Sequence, residues 1–374
     1  MHSGGKLYLY KEVAEMIDKS AEEGRALNNL GLSADRVEKF KSIVKSVKGN
    51  FLILITQIDP DALGAAYAFQ AVLSNLKASD SRIKLYWCGQ PGMAQNRAIV
   101  NLGSLSQHFN MVDKMSVGKN DILILIDSSA TNDSRIPESL RPLRPVMVFD
   151  HHDGDVASQE EGEDQFFCID NEVGSASTLI EELAVATDTE LTEYRPLFLA
   201  FGIYNDTKQL ASSSRRDRES YGRLTEKANQ QELQMLINFP LSENYFDSLQ
   251  YALNHRKQKG GRIVMNAGQL KEDSGDDLSV IADLMLRQKG VDLAVVWGMI
   301  GQKVRISARS SDLGTLLGDE LRKKFSSGGA KLTPSLTSEG GVTINIDFGI
   351  WWSEGVREHA EKLVSERINE LIFE

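Results

Sequence analysis

Three short apolar runs, each followed by acidic or imidazole side chains, constrain the fold of this chain more than any other feature. The runs are FLILIT before Asp59 and Asp61, ILILI before Asp127, and VMVF before Asp150, His151 and His152. A short continuous apolar run is typical of a strand buried on both faces of a parallel sheet. In open α/β sheets, ligands bind outside the carboxyl ends of the strands. The pattern therefore predicts a parallel sheet with a binding site at that end of its strands.

Helical segments alternate with these runs, which predicts an α/β fold with a doubly wound, mainly parallel sheet. A second α/β pattern begins near residue 261, so we expect a smaller C-terminal α/β domain across a cleft from the first. The predicted division is an N-terminal helical segment at 1–48, the larger domain at 49–235, a linker at 236–260 and the smaller domain at 261–374.

The composition argues against several classes of protein. A net charge of −11 over 374 residues disfavours a long nucleic-acid track, which needs a basic footprint, but it allows a small anionic substrate. No run approaches the ~18 apolar residues of a membrane span. The cysteines, Cys88 and Cys168, are too few for a disulfide framework. We therefore expect a cytoplasmic protein that does not bind membranes.

The acids that follow the apolar runs, together with Asp206 at the end of a predicted helix, predict a cation site. Taken alone, Asp61 or Asp206 could be an ordinary helix cap. Gathered in one crevice, these carboxylates would be costly to bury unless cations balance them. Carboxylate and imidazole ligands suit Mn²⁺, Mg²⁺ or Zn²⁺, and the lack of thiolates disfavours structural zinc. A scaffold or interaction protein whose acids only cap helices is the alternative.

Four motifs in order along the chain resemble those of the DHH phosphoesterases. They are D-P-D-A-L-G at 59–64, I-D-S-S at 126–129, D-H-H at 150–152 and N-D-T at 205–207. That superfamily includes RecJ-type exonucleases, nanoRNases and pAp phosphatases, and cyclic-dinucleotide phosphodiesterases. The resemblance extends over roughly residues 45–350 and includes a C-terminal DHH-associated domain.

The resemblance implies a role for each matched residue. The implied metal ligands are Asp59 for a first ion, Asp61, His151 and Asp206 for a second, and Asp127 as the bridge between them. His152 would lie beside the scissile phosphate as a hydrogen-bond donor or proton carrier, so Asp127 and His152 are the predicted catalytic pair. In the second domain, Arg309 and Ser310 would bind a substrate phosphate, together with the glycine-rich loop at Gly328 and Gly329.

The sequence departs from the family pattern at Gln57 and Pro60 of the first motif and at two positions where a histidine is usual. Ile55 stands where these enzymes usually carry a metal-binding histidine, and no histidine follows Gly329 in the glycine-rich loop. We still expect a metal-dependent phosphoesterase with one or two Mn²⁺ or Mg²⁺ ions. Its substrates would be short nucleic acids or small nucleotides: nanoRNA, pAp, or a cyclic or linear dinucleotide. The alternative is a degenerate, nucleotide- or phosphate-binding regulatory protein of the same fold. The N-terminal helices would serve packing or homodimer formation.

Overall fold

The structure is a computed structural model in which the chain divides into two units, Met1–Phe239 and Pro240–Glu374. It describes residues 31–76, 82–92, 94–129, 131, 135–152, 161–271, 274–311, 317–325, 331–332, 339–346 and 352–374. Each unit is built around a sheet of its own. Among the described residues, no helix has the length and apolar character needed to cross a membrane.

The first unit contains a six-stranded sheet in which every strand pairs in parallel. Its strands are β1 (Phe51–Ile55), β2 (Ile83–Trp87), β3 (Phe109–Met111), β4 (Ile122–Ile126), β5 (Met147–Asp150) and β6 (Phe166–Ile169). The order across the sheet is β3-β2-β1-β4-β5-β6, so the direction of winding reverses between β1 and β4. This confirms the predicted α/β fold, and such a reversal is where ligands bind in open sheets of this type.

Seven described α-helices belong to the first unit. They are α1 (Ala34–Ser46), α2 (Pro60–Leu76), α3 (Ala94–Leu102), α4 (Ala176–Ala186), α5 (Arg195–Asp206), α6 (Arg215–Lys227) and α7 (Gln230–Ile237). Serine side chains cap the first amides of three of them: Ser33 for α1, Ser175 for α4 and Ser214 for α6. Such caps satisfy backbone donors that have no partner inside the helix, and so they set where each helix begins.

The core of the first unit lies on both faces of the sheet. Alternate residues of a strand point to opposite faces. Ile53 and Ile55 therefore join the core formed with the helices, whereas Leu52 and Leu54 join a second core on the other face. Phe40 of α1 is fully buried. The part of the predicted N-terminal helical segment that is described thus packs into the first core, and residues 1–30 lie outside the described residues.

The second unit is built on a mixed six-stranded sheet. Its strands are β7 (Arg256–Lys259), β8 (Arg262–Gln269), β9 (Leu293–Ile300), β10 (Lys303–Ser310), β11 (Lys331–Leu332) and β12 (Glu339–Asn345), in the order β11-β12-β10-β9-β8-β7. Its helices are α8 (Glu243–Asn254), α9 (Asp277–Leu286), α10 (Leu317–Phe325) and α11 (Glu354–Phe373). Only β8 and β9 pair in parallel among the described strands of this sheet. The second α/β pattern of the sequence is thus a domain with its own sheet.

Residues 236–260, interpreted from composition as a linker, contain regular structure in the second unit. They include α8 and the edge strand β7, whose four residues are all exposed. An exposed edge strand is commonly protected by charged side chains, and Arg256, Lys257 and Lys259 are such residues. The basic run of β7 therefore resembles a linker when only the sequence is considered. The four-part division of the chain stays a prediction.

Candidate metal centre

Three neighbouring strands deliver the predicted metal ligands to the point where the sheet reverses its winding. Asp59 and Asp61 follow β1, Asp127 follows β4, and His151 follows β5, the next strand across the sheet. Asp206 is the last residue of α5, a helix that packs against α2. The chain positions are far apart, and the parallel pairing of the strands is what brings them to one edge.

The first motif forms the start of α2. Asp59 accepts a hydrogen bond from Ala62 N at 2.9 Å and so caps the helix. Pro60 is the first helical residue, where its missing N–H costs nothing and its restricted φ already suits the helix. Asp61 lies in the first turn and is fully buried. The sequence Asp-Pro-Asp therefore turns sharply from the strand into the helix and leaves Asp61 facing the interior.

The second motif has an uncommon backbone conformation at its acid. Asp127 has a φ of 55°, in the left-handed region that few residues other than glycine adopt. Its N–H donates to Phe149 O at 2.8 Å, which extends the pairing of β4 with β5 by one residue. Residues held in such conformations cluster at functional sites, where the surrounding structure enforces them.

One nitrogen atom lies at the centre of the site. His151 Nε2 is 3.4 Å from Asp127 Oδ1, 3.6 Å from Asp206 Oδ2 and 3.7 Å from Asp61 Oδ2. The His151 side chain is 12% exposed, and the carboxylates of Asp61 and Asp127 are more deeply buried. Three carboxylate oxygens thus surround a single imidazole nitrogen in an almost closed space.

The geometry of this cluster fits a cation. Asp127 Oδ1 and His151 Nε2 are buried atoms with no hydrogen-bond partner in the part of the chain that the structure describes. Buried polar atoms are almost always paired, so two unpaired ones that face each other indicate a ligand. Atoms bound at about 2.1 Å to one ion lie about 3.0–3.5 Å apart, and His151 Nε2 lies 3.4 to 3.7 Å from the three carboxylate oxygens. The oxygen-rich set suits Mn²⁺ or Mg²⁺.

The carboxylates of the site repel one another when no cation balances them. Burial, followed by the charges of Asp206 and Asp127, raises the pKa of Asp61 to about 7. Burial and the charges of Asp127 and Asp206 also raise the pKa of Asp59 well above its usual range. Burial works against the charged imidazole of His151, but Asp127 and Asp206 outweigh it and raise its pKa. The site therefore retains protons that a bound cation would displace.

The second histidine of the D-H-H motif is held by its acid. His152 Nδ1 lies 2.8 Å from Asp150 Oδ1, and His152 N donates to the same oxygen at 3.2 Å. This contact with Asp150 is the largest cause that raises the pKa of His152. The His152 side chain is 38% exposed, compared with 12% for His151. His152 is thus an oriented imidazole that solvent can reach.

The structure separates Asp59 from the residues that form the clusters of ligand atoms. Among the described residues, two such clusters occur, Asp61-His151-Asp206 and Asp127-His151-His152. Asp59 belongs to neither, and one of its oxygens is engaged in capping α2. Ile55 is fully buried in the core beneath the helices. The position of the usual histidine therefore contributes to packing here.

The predicted phosphate-binding residues of the second unit are partly described. Arg309 is mostly buried, and its Nε donates to Asp283 Oδ1 at 3.0 Å. Its Nη1 donates to Ala308 O at 3.1 Å, and Ser310 Oγ donates to Asp292 O at 3.3 Å. Arg309 is thus held by an acid of its own domain, a pairing that the sequence did not predict. Gly328 and Gly329 lie outside the described residues.

Sequence reasoning missed the residues that hold Asp61 in place. Its carboxylate accepts three hydrogen bonds from the start of α4: from Ser175 Oγ at 2.6 Å, Ala176 N at 2.7 Å and Ser177 N at 2.8 Å. Gly202 of α5 lies opposite, and a Cβ there would be 2.9 Å from Asp61 Cα. The signal in the sequence was the Gly-Ser-Ala-Ser run before an apolar helix, which is typical of a helix start.

Sequence comparison finds a relative but no matching family. No family model matches the sequence. An uncharacterized protein of Methanocaldococcus jannaschii is 27% identical over 327 residues, which cover 86% of this chain and 63% of that protein. The chain therefore spans less than two thirds of that relative's length.

A solved structure shows the same architecture. An exopolyphosphatase-related protein from Bacteroides fragilis is 15% identical and matches with a TM-score of 0.64, covering 92% of this chain and 99% of that one. The chain therefore shares its fold with that protein, in agreement with the α/β fold of the family that the motifs resemble. This confirms the fold that the four motifs implied. An exonuclease RecJ bound to manganese matches at a TM-score of 0.46 and 12% identity, too low to add to the assignment.

Proposed function

We propose that this chain is a cation-dependent phosphoesterase that hydrolyses short nucleic acids or small nucleotides. The observation that carries the proposal is the convergence of Asp61, Asp127 and Asp206 on His151 Nε2, with two buried atoms left unpaired. A scaffold protein whose acids only cap helices gives no reason to bury such a cluster, because buried charges without partners are costly.

The proposed centre holds one cation, bound by Asp61 Oδ2, Asp127 Oδ1, Asp206 Oδ2 and His151 Nε2. The site of a second ion lacks the usual imidazole, because Ile55 is buried in the core. Asp59 has one oxygen committed to Ala62 N. Mn²⁺ and Mg²⁺ are the proposed ions, since both bind carboxylates readily.

A divalent cation bound there would polarise a phosphate and lower the pKa of a bound water. The residue of the chain that we propose as the proton donor is His152. Its Nδ1 is held by Asp150, so the proton on the imidazole is shared with a buried acid and the ring keeps one orientation. The raised pKa favours the doubly protonated ring, whose Nε2 can donate to the leaving oxygen of a phosphate ester.

Short substrates fit the charge of the chain. A net charge of −11 opposes a long polyanion, whereas a dinucleotide, nanoRNA fragment or pAp needs only a few local contacts. We propose that Arg309, Ser310 and the segment of Gly328 and Gly329 bind a substrate phosphate. The Bacteroides fragilis structure is described as exopolyphosphatase-related, so inorganic polyphosphate belongs among the candidates.

A second candidate is a protein of the same fold that binds a nucleotide or phosphorylated ligand without turnover. The buried Ile55 favours it, because loss of a second cation would slow hydrolysis more than binding. The two candidates share the cation site and differ only in whether the bound phosphate ester is cleaved.

Two measurements test the proposal. Metal analysis of protein incubated with Mn²⁺ and then desalted should give one ion per chain. Hydrolysis is then measured with Mn²⁺ on pAp, pGpG, a ribonucleotide pentamer and polyphosphate, with D127A as the inactive reference and H108A as a matched control. His108 packs edge-on against Tyr67, with ring centroids 5.1 Å apart, and belongs to neither cluster of ligand atoms.

The outcomes separate the candidates. Cleavage by wild type and H108A, but not by D127A, supports the phosphoesterase. One bound ion together with tight binding but no cleavage of any substrate supports the ligand-binding protein. No bound ion at a concentration of about 100 μM Mn²⁺ contradicts both, since working cation sites bind at or below such concentrations.

A further inference from the structure

The turn at residues 174–178, where α4 begins, donates hydrogen bonds to two buried carboxylates. Asp61, a proposed ligand of the cation, accepts hydrogen bonds from Ser175, Ala176 and Ser177. Asp217 of α6 accepts hydrogen bonds from the two residues that flank them, Gly174 and Thr178. The five donors of one turn are thus divided between an acid of the site and an acid outside it.

The contacts of Asp217 are short, and the residue that makes them is fully buried. Thr178 Oγ1 donates to Asp217 Oδ1 at 2.6 Å, and Gly174 N donates to Oδ2 at 3.0 Å. Ser214 N, at the start of α6, donates to Oδ2 at 2.7 Å. The Asp217 side chain has no exposed surface. One carboxylate therefore ties the start of α4 to the start of α6.

The same turn also lies against the end of α5, next to the proposed ligand Asp206. A Cβ built on Gly174 would lie 2.7 Å from Thr207 Cγ2, so the turn packs directly against the residue that follows Asp206. A displacement of the turn would consequently move both Asp61, through its three hydrogen bonds, and the end of α5 that carries Asp206.

We infer that Asp217 is a positioning residue for the metal centre, an inference that rests on the proposed cation site. Asp217 holds the turn, the turn holds the Asp61 carboxylate through three donors, and Asp61 presents Oδ2 to His151. Partners that orient metal ligands typically change metal affinity about 10- to 100-fold when they are removed. A residue that only caps α6 would change stability and leave the affinity for the metal as it is.

The test compares Mn²⁺ affinity with stability in three variants. D217N replaces an oxygen that accepts hydrogen bonds by an amide that donates them, and T178V removes only the hydroxyl donor while keeping the shape. D121N is the matched control. Asp121 accepts from Asn50 N at 2.7 Å and Gly118 N at 2.8 Å, near the opposite ends of β1 and β4. It therefore holds a turn of the same sheet away from the site.

Mn²⁺ binding is measured by calorimetry on each full-length protein, well below its unfolding midpoint. We expect D217N to weaken binding about tenfold or more, T178V to weaken it less, and D121N to leave it within about threefold. Should D217N fail to fold, weakened binding by T178V relative to D121N supports the inference and wild-type affinity overturns it.

Two other outcomes would overturn the inference. Equal affinities for D217N and wild type would show that the turn keeps its place without Asp217. An equal loss in D217N and D121N would show that any destabilisation of the unit weakens the site. Absence of Mn²⁺ binding by the wild type would overturn the proposed function together with this inference, so the two failures are distinguishable.

Discussion

The stability of the first unit after treatment with a chelator should fall as the pH rises from 5 to 8. Burial and neighbouring carboxylates raise the pKa of Asp61 from 3.8 to about 7, and they raise that of Asp59. A group whose folded pKa is raised favours the folded state at low pH. That stability is lost as the pH rises between the unfolded and the folded pKa. The raised pKa of His151 acts in the same direction.

The size of the effect follows from Asp61, which has no exposed surface. An unfolded aspartate titrates near pH ~3.9, and each pKa unit of difference corresponds to about 1.4 kcal/mol. Integrated from pH 5 to pH 8, a folded pKa of about 7 gives a loss of about 2–3 kcal/mol. For a domain of this size, that lowers Tm by about 5–10 °C.

The assay is thermal unfolding followed by circular dichroism at pH 5, 6, 7 and 8, in EDTA and in Mn²⁺. In EDTA we expect the decline described above, and D61N should make it shallower. Saturating Mn²⁺ should reverse it, because cation binding displaces the retained protons and contributes about 3 kcal/mol at 100 times Kd. A wild-type Tm in EDTA that stays constant or rises from pH 5 to pH 8 would refute the reasoning.

Three further predictions follow from the same contacts. H151A should lower Mn²⁺ affinity at least about 100-fold, whereas H108A should not, as measured by calorimetry; similar affinities in both would contradict the proposed centre. D150N should lower kcat about tenfold and move the basic limb of the pH–rate profile to lower pH, because His152 loses the contact with Asp150 that raises its pKa. A basic limb at the wild-type pH would exclude His152 as the proton donor. G202A should lower the free energy of unfolding, measured in urea, by about 2–3 kcal/mol, because the added Cβ would lie 2.9 Å from the backbone of Asp61. G222A is the control: the space around Gly222 is open, so alanine there should stabilise helix α6 by up to about 1 kcal/mol.

The elements that the sequence predicted well are those whose apolar runs are unbroken. The runs of β1, β4 and β5 are buried on both faces, so these strands and the acidic residues that follow them could be predicted from the sequence. Strands β3 and β6 were not predicted, and the three residues of β3 are too few to show a periodicity. Helix α8 was also not predicted, because it lies in the segment 236–260 that was interpreted as a linker.

The candidate site was predictable only as a set of residue types. The sequence placed acids and histidines at strand ends, and the family resemblance made both Asp59 and Asp61 metal ligands, one for each of two ions. The structure distinguishes them: Asp59 caps α2, whereas Asp61 lies beside His151. This difference depends on the turn into one helix and on the approach of another, which local sequence does not encode.

The sequence by itself determined the parallel α/β architecture and the end of the sheet at which the polar residues gather, because strand burial and strand-end chemistry are local properties. Only the tertiary structure decided which oxygens meet His151 Nε2 and which acid supports them. Asp217 is 156 residues from Asp61 (217 − 61). Its contact with the turn that holds Asp61 exists only because the starts of α4 and α6 pack together, and no spacing along the chain specifies that contact.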